Sequence, residues 1–113
     1  MMVDYEITDQ ALEALVLHAL MELQGVRPLE TIPRPLGEVF KRARPVRVER
    51  TPEGLSVDLV LSVDYGLPIP ELAPKVQKEV AEALYLATGE KVKAVNLTVA
   101  QVEYPKEAHA AQG

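Results

Sequence analysis

The sequence predicts an α+β fold: a two-layer sandwich in (β)αββαβ order, with two helices on one face of a small mixed sheet. Three observations carry this. Apolar residues recur at helical period from Leu12 to Leu23. They alternate with polar residues from Leu55 to Tyr65, with Val60 the exception. A second helical stripe, Leu72 to Ala87, then leads into another alternating run. Strand, helix, strand in that order is a crossover unit, expected to pair its strands in parallel with a right-handed connection. Strands that are apolar on one side only leave the helices one face to cover.

The elements follow in order. Residues 3–7 alternate and read as a short strand or an extended arm. Thr8 or Asp9 can cap the helix predicted over about 10–24. Its face is Leu12, Leu15, Val16, Ala19, Leu20 and Leu23, and Gly25 suits the position past its end. Leu17 and Met21 add a second stripe, which predicts cover on more than one side. Residues 26–45 carry Pro28, Pro33, Pro35 and Pro45 and sustain no apolar period. Leu36, Val39 and Phe40 suit at most a helical turn, and a loop of this length is often functional.

Val46 and Val48 mark a strand, and Thr51-Pro52-Glu53-Gly54 is a turn that joins it to the next as an antiparallel hairpin. In strand 55–65, Leu55, Val57, Leu59, Leu61, Val63 and Tyr65 share one face. Gly66-Leu67-Pro68-Ile69-Pro70 breaks it. The second helix is predicted over 71–88, with Pro74 in its first turn and Gly89 as its stop. In the last strand, 92–104, Val95, Leu97 and Val99 share one parity and Val102 and Tyr104 the other. That slip predicts a bulge near Ala100–Gln101. The polar face is expected to carry Asp58, Ser62, Asp64, Asn96 and Thr98. Residues 1–105 read as a single domain and 106–113 as a flexible tail.

Composition narrows the function. The chain has 113 residues, 48 % hydrophobic and 26 % charged, which suits one globular domain and excludes disorder. It has no cysteine, so disulfides, zinc–thiolate sites and thiol catalysis are excluded. The net charge of -5 argues against whole-molecule attraction to nucleic acid or anionic lipid. No apolar run reaches the ~20 residues a bilayer needs, because Glu13, His18 and Glu22 interrupt the longest. No secretory pattern opens the chain, so a cytoplasmic location is expected, with any membrane association made through a partner. One Asn among nine Pro suits a heat-adapted source.

Chemical motifs are sparse. His18 and His109 lack metal-ligand spacing, so no metal is expected. Asp58 and Asp64 stand about 20 Å apart along one strand, beyond the reach of an acid–base pair. No nucleophile elbow, phosphate loop or dinucleotide fingerprint occurs, so neither an enzyme nor a cofactor is expected. From Arg34 to Arg50 six basic residues stand against Glu38 and Glu49. Within it, Lys41, Arg42, Arg44 and Arg47 are interaction candidates, for a protein, for anionic lipid or, as the alternative function, for RNA. Only Phe40 is close enough to stack on bases, and the G-x-x-G loop of K-homology folds is absent, so nucleic acid is the weaker reading. Tyr65, Gly66, Ile69 and Pro70 are the other candidates. Their bland reading is that Gly66 and Pro70 shape a turn while Tyr65 and Ile69 fill core.

A family resemblance adds to this. The run Gly54 to Gly66, ending Asp64-Tyr65-Gly66, continues into Ile69-Pro70-Glu71-Leu72-Ala73 and Val76-Gln77-Lys78-Glu79-Val80. Thr88-Gly89, Val95-Asn96-Leu97-Thr98-Val99 and Val102-Glu103-Tyr104-Pro105 follow. In combination these resemble the alkaline shock protein family of Gram-positive and related bacteria. Leu23-Gln24-Gly25-Val26 suits the end of that family's first helix but departs from its usual Glu-Val. Pro74 and the Pro-rich 26–45 segment also depart. The resemblance implies a non-enzymatic protein of envelope stress and membrane homeostasis. It implies a protein partner, held in the membrane for some members, and it supplies no catalytic residues; contact with a second copy of the chain is a separate expectation.

Overall fold

A computed structural model describes residues 4–29 and 45–104. Its elements are α1 Asp9–Met21, β1 Val26–Pro28, β2 Val46–Thr51, β3 Gly54–Asp64, α2 Ile69–Thr88 and β4 Val92–Glu103. The α+β class, the hairpin and the crossover are as the sequence predicts. Two element predictions change. Residues 4–8 form no strand, although Ile7 packs on the core. The extra strand is β1 instead, three residues long and too short to show a period.

β3 is the centre of the mixed sheet. β4 pairs with it in parallel, while β1 and β2 pair with it antiparallel. β2 lies along Gly54 to Leu59 and β1 along Leu61 to Val63. Because β4 takes one edge of β3 over both stretches, β1 and β2 share the other. They are two pieces of one edge strand, and Val60 lies between them. The Leu29 N–H donates to the Val60 carbonyl at 3.0 Å, and the Val60 N–H donates to the Pro45 carbonyl at 2.8 Å. The chain thus departs from the edge at Leu29 and rejoins it at Pro45, beside the same residue.

The core forms between the helices and one sheet face. Leu12, Val16 and Leu20 of α1 and Val76, Val80 and Leu84 of α2 meet Leu55, Val57, Leu59, Leu61 and Val63 of β3. All are at most 1 % exposed, the burial that makes such side chains the main source of stability. Thr8 caps α1 by accepting from the Ala11 N–H at 3.2 Å. The second stripe on α1 is not buried: Leu17 is 37 % exposed and Met21 78 %. α2 starts at Ile69, two residues earlier than predicted, so Pro74 sits inside the helix and not in its first turn. There it removes an N–H that would bond the Pro70 carbonyl. The predicted bulge is present: Leu61 pairs with Val99 and Ser62 with Gln101, leaving Ala100 extra. Lys93 is a second extra residue, between Val92 opposite Leu55 and Ala94 opposite Ser56.

Candidate functional site

The sheet face away from the helices carries polar side chains. Asn96 donates to Asp58 at 3.0 Å. Arg47 lies opposite Asp58 in the register, half-buried, with Glu49 3.9 Å away. At the far end of β3 the pattern tightens. Arg27, on β1 opposite Ser62, reaches Asp64 at 2.5 Å through one guanidinium nitrogen. Its other terminal nitrogen bonds Glu103 and also reaches Ser62 at 3.4 Å. The guanidinium is held above its ordinary pKa, first by the hydrogen bond to Asp64 and then by the nearby charges of Asp64 and Glu103, against a desolvation that lowers it.

Asp64 and Glu103 are the last register pair of β3 and β4. One residue further on, the Tyr65 N–H donates to the Glu103 carbonyl at 2.7 Å, so the pairing continues past the strand ends. Alternation sends Tyr65 and Tyr104 to the side opposite Arg27. Their rings stack there, with centroids 4.5 Å apart and planes 27° from parallel. Both are largely in water, Tyr65 at 58 % and Tyr104 at 63 %. Val102, two residues before Tyr104, is 49 % exposed, and Ile69, at the start of α2, is 38 % exposed. A cleft of about 230 Å³ lies between the end of α1 and the start of α2, lined by Leu23, Leu67, Pro68, Glu71, Leu72 and Lys75 among others.

The candidate residues divide as follows. Tyr65 and Ile69 do not fill core, contrary to the bland reading. The strand ends at Asp64, one residue before Tyr65, and Ile69 is the first residue of α2; Tyr65 is 58 % exposed and Ile69 38 %. Gly66 and Pro70 do shape the junction: Gly66 has φ 96°, and Pro70 lies in the first turn of α2. Of the basic group, Lys41, Arg42 and Arg44 lie outside the described residues, as do His109 and residues 105–113. Arg47 and Arg50 point to opposite sides. Arg47 lies on the open face, while Arg50 bonds Asp9 at 2.7 Å and the Ile7 carbonyl on the helix side. His18 is exposed on α1, 3.8 Å from Glu22. Among the described residues no three His, Cys, Asp or Glu side chains gather where they could hold a metal. No described helix is long and apolar enough to cross a membrane.

Two participants were not among the sequence candidates. Tyr104 had a signal: the phase slip at Ala100 moves it onto the face of Tyr65. Arg27 had none, being a lone cation in a segment without period.

Known proteins place the chain. The sequence signature of the alkaline shock family, described by a cell envelope-related function, matches residues 2–104. The uncharacterized protein YqhY of Bacillus subtilis (strain 168) is 22 % identical over 112 residues, covering 95 % of this chain and 82 % of that protein. Among solved structures, the cadmium form of a MamM CTD variant matches with a TM-score of 0.47 at 14 % identity, over 85 % of this chain and 95 % of that one. A second MamM CTD structure gives the same TM-score and identity, covering 98 % of that chain. The family signature spans nearly the whole sequence, and the chain belongs to the alkaline shock protein family, whose function is cell envelope-related.

Proposed function

We propose that this chain is a non-enzymatic adaptor or scaffold of the cell envelope that holds a protein partner on the Tyr65–Tyr104 pair. The observation that carries this reading is the pair itself, two stacked rings left in water at 58 % and 63 % exposure. Tyrosine offers a large apolar surface with a polar tip and loses little rotamer freedom on binding, so it is favoured as an interface anchor. Val102, two residues before Tyr104 on the same strand face, adds to the apolar area a partner would cover. Family membership supplies the envelope context. A membrane-anchored partner would hold the chain at the inner membrane face.

The test is a tagged pull-down from the native organism, reading protein and nucleic acid, with the native chain and a Tyr65→Ala/Tyr104→Ala variant. The expected result is a captured protein, with a membrane protein among the candidates. Capture should weaken about thirtyfold in the variant, as for an anchor contributing about 2 kcal/mol. Capture that ignores the double substitution overturns the site. RNA that washes away with salt overturns the adaptor reading in favour of Lys41, Arg42, Arg44 and Arg47.

A further inference from the structure

The stack and the Arg27 cluster occupy consecutive positions on the same two strands. Asp64 and Glu103 face each other as a register pair, and both carry carboxylates. Like charges directly opposite across paired strands push the strands apart. β4 is an edge strand here, attached only through β3 among the described strands, and the Ala100 bulge lies three residues before Glu103. The backbone ladder, which the Tyr65 N–H to Glu103 carbonyl bond extends past the strand ends, holds the two chains together but leaves the two carboxylates uncompensated. The rings of Tyr65 and Tyr104 nevertheless lie 4.5 Å apart one residue beyond. The compensating group is Arg27, which comes from the other edge of the sheet. Its planar fork directs one nitrogen to Asp64 and another to Glu103, so a single side chain spans β1, β3 and β4.

We propose that Arg27 is the positioning residue of the tyrosine pair: by neutralising the opposed carboxylates of Asp64 and Glu103 on one face, it lets the ends of β3 and β4 stay together and so keeps the Tyr65–Tyr104 stack on the other face. The proposal deepens the adaptor reading, since it names what prepares that docking site, but its test does not need a partner. Asp64 and Glu103 are 35 % and 42 % exposed at the side chain and Arg27 is 38 % exposed, so the bridge is accessible to competing salt and to substitution.

The experiment follows nuclear Overhauser contacts between the two tyrosine rings in the full chain, with the thermal midpoint measured alongside. In the native chain the inter-ring contacts are present. In Arg27→Gln they are lost or reduced severalfold, while contacts among Leu20, Leu59 and Val80 in the core remain. In Asp64→Asn/Glu103→Gln, which removes the repulsion, the ring contacts are retained, and adding Arg27→Gln to that background changes them little. Ring contacts that persist at native strength in Arg27→Gln overturn the proposal. So does their loss in Asp64→Asn/Glu103→Gln, a comparison that holds even if Arg27→Gln alone fails to fold. A merely structural arginine would lower the midpoint equally in both backgrounds without singling out the rings. If the ring contacts behave as stated but pull-down ignores the tyrosines, the docking reading fails and the positioning role of Arg27 stands.

Discussion

Gly54 and Gly66 both adopt positive φ, 135° and 96°, yet they differ in what a side chain would meet. A Cβ on Gly66 would enter open space, so Gly66→Ala carries only backbone strain, about 1–2 kcal/mol. A Cβ on Gly54 would lie 2.5 Å from the Lys91 carbonyl oxygen. That carbonyl is fixed, because it accepts from the Leu55 N–H at 2.8 Å where β4 begins to pair with β3. Gly54→Ala is therefore expected to add a steric cost of about 1–3 kcal/mol to the strain. Urea denaturation of the two variants checks this: equal losses would mean the Lys91 approach is not confining. Arg27 behaves differently under pH. Its pKa is raised in the folded chain, so the stability it lends is complete below the ordinary arginine value and is lost only as pH climbs through the raised one. Its side of the Asp64–Glu103 bridge stays charged through neutral and moderately alkaline conditions.

Among the elements, α2 carries a local rule broken without visible compensation. Pro74 is exposed and sits at the sixth helical residue, where the Pro70 carbonyl would otherwise receive an N–H. Interior proline costs about 3 kcal/mol, offset in part by the ~1 kcal/mol it removes from unfolded-state entropy. Pro74→Ala should accordingly stabilise the chain by about 1–2 kcal/mol, read as a higher denaturant midpoint at unchanged slope. A lower midpoint would show that Pro74 is needed where it stands. Pro74 also shows where legibility ended. The periods of α1, β3 and α2 were plain in the sequence because burial on one face imposes a repeat on side chains. The bulge was legible because it shifts that repeat at Ala100. The start of α2 was not, since Ile69 and Pro70 fit a turn as well as a first helical turn. β1 was not, since three residues hold no period. Leu17 and Met21 looked like a second buried stripe because periodicity reports a face but not whether another element arrives to cover it. The site followed the same division. Tyr65 and the junction were readable as local chemistry, whereas Arg27 acquires its role only from Asp64 and Glu103, 37 and 76 residues away.

At the scale of the whole molecule, the divided edge strand marks where residues 30–44 leave and rejoin the described fold. Leu29 and Pro45 both bond to Val60, so a short linker can join them without disturbing β1 or β2. Lys41, Arg42 and Arg44 belong to the segment such a linker would replace, while Tyr65 and Tyr104 lie outside it. Closing a loop costs about 0.6 kcal/mol per doubling of length, so replacing residues 30–44 with about four Gly/Ser residues should gain about 1 kcal/mol. The shortened chain is expected to match or slightly exceed native stability in urea. A loss above about 3 kcal/mol would mean that the segment packs on the domain, since entropy alone cannot give that sign. Capture of the partner supplies the second readout. If the tyrosine pair is the docking site, the shortened chain retains its partner and the Tyr65→Ala/Tyr104→Ala chain does not. The reverse pattern would transfer the contact to Lys41, Arg42 and Arg44. Because the deletion and the double substitution alter different segments of the chain, the two candidate sites are distinguished in one fold without identifying the partner beforehand.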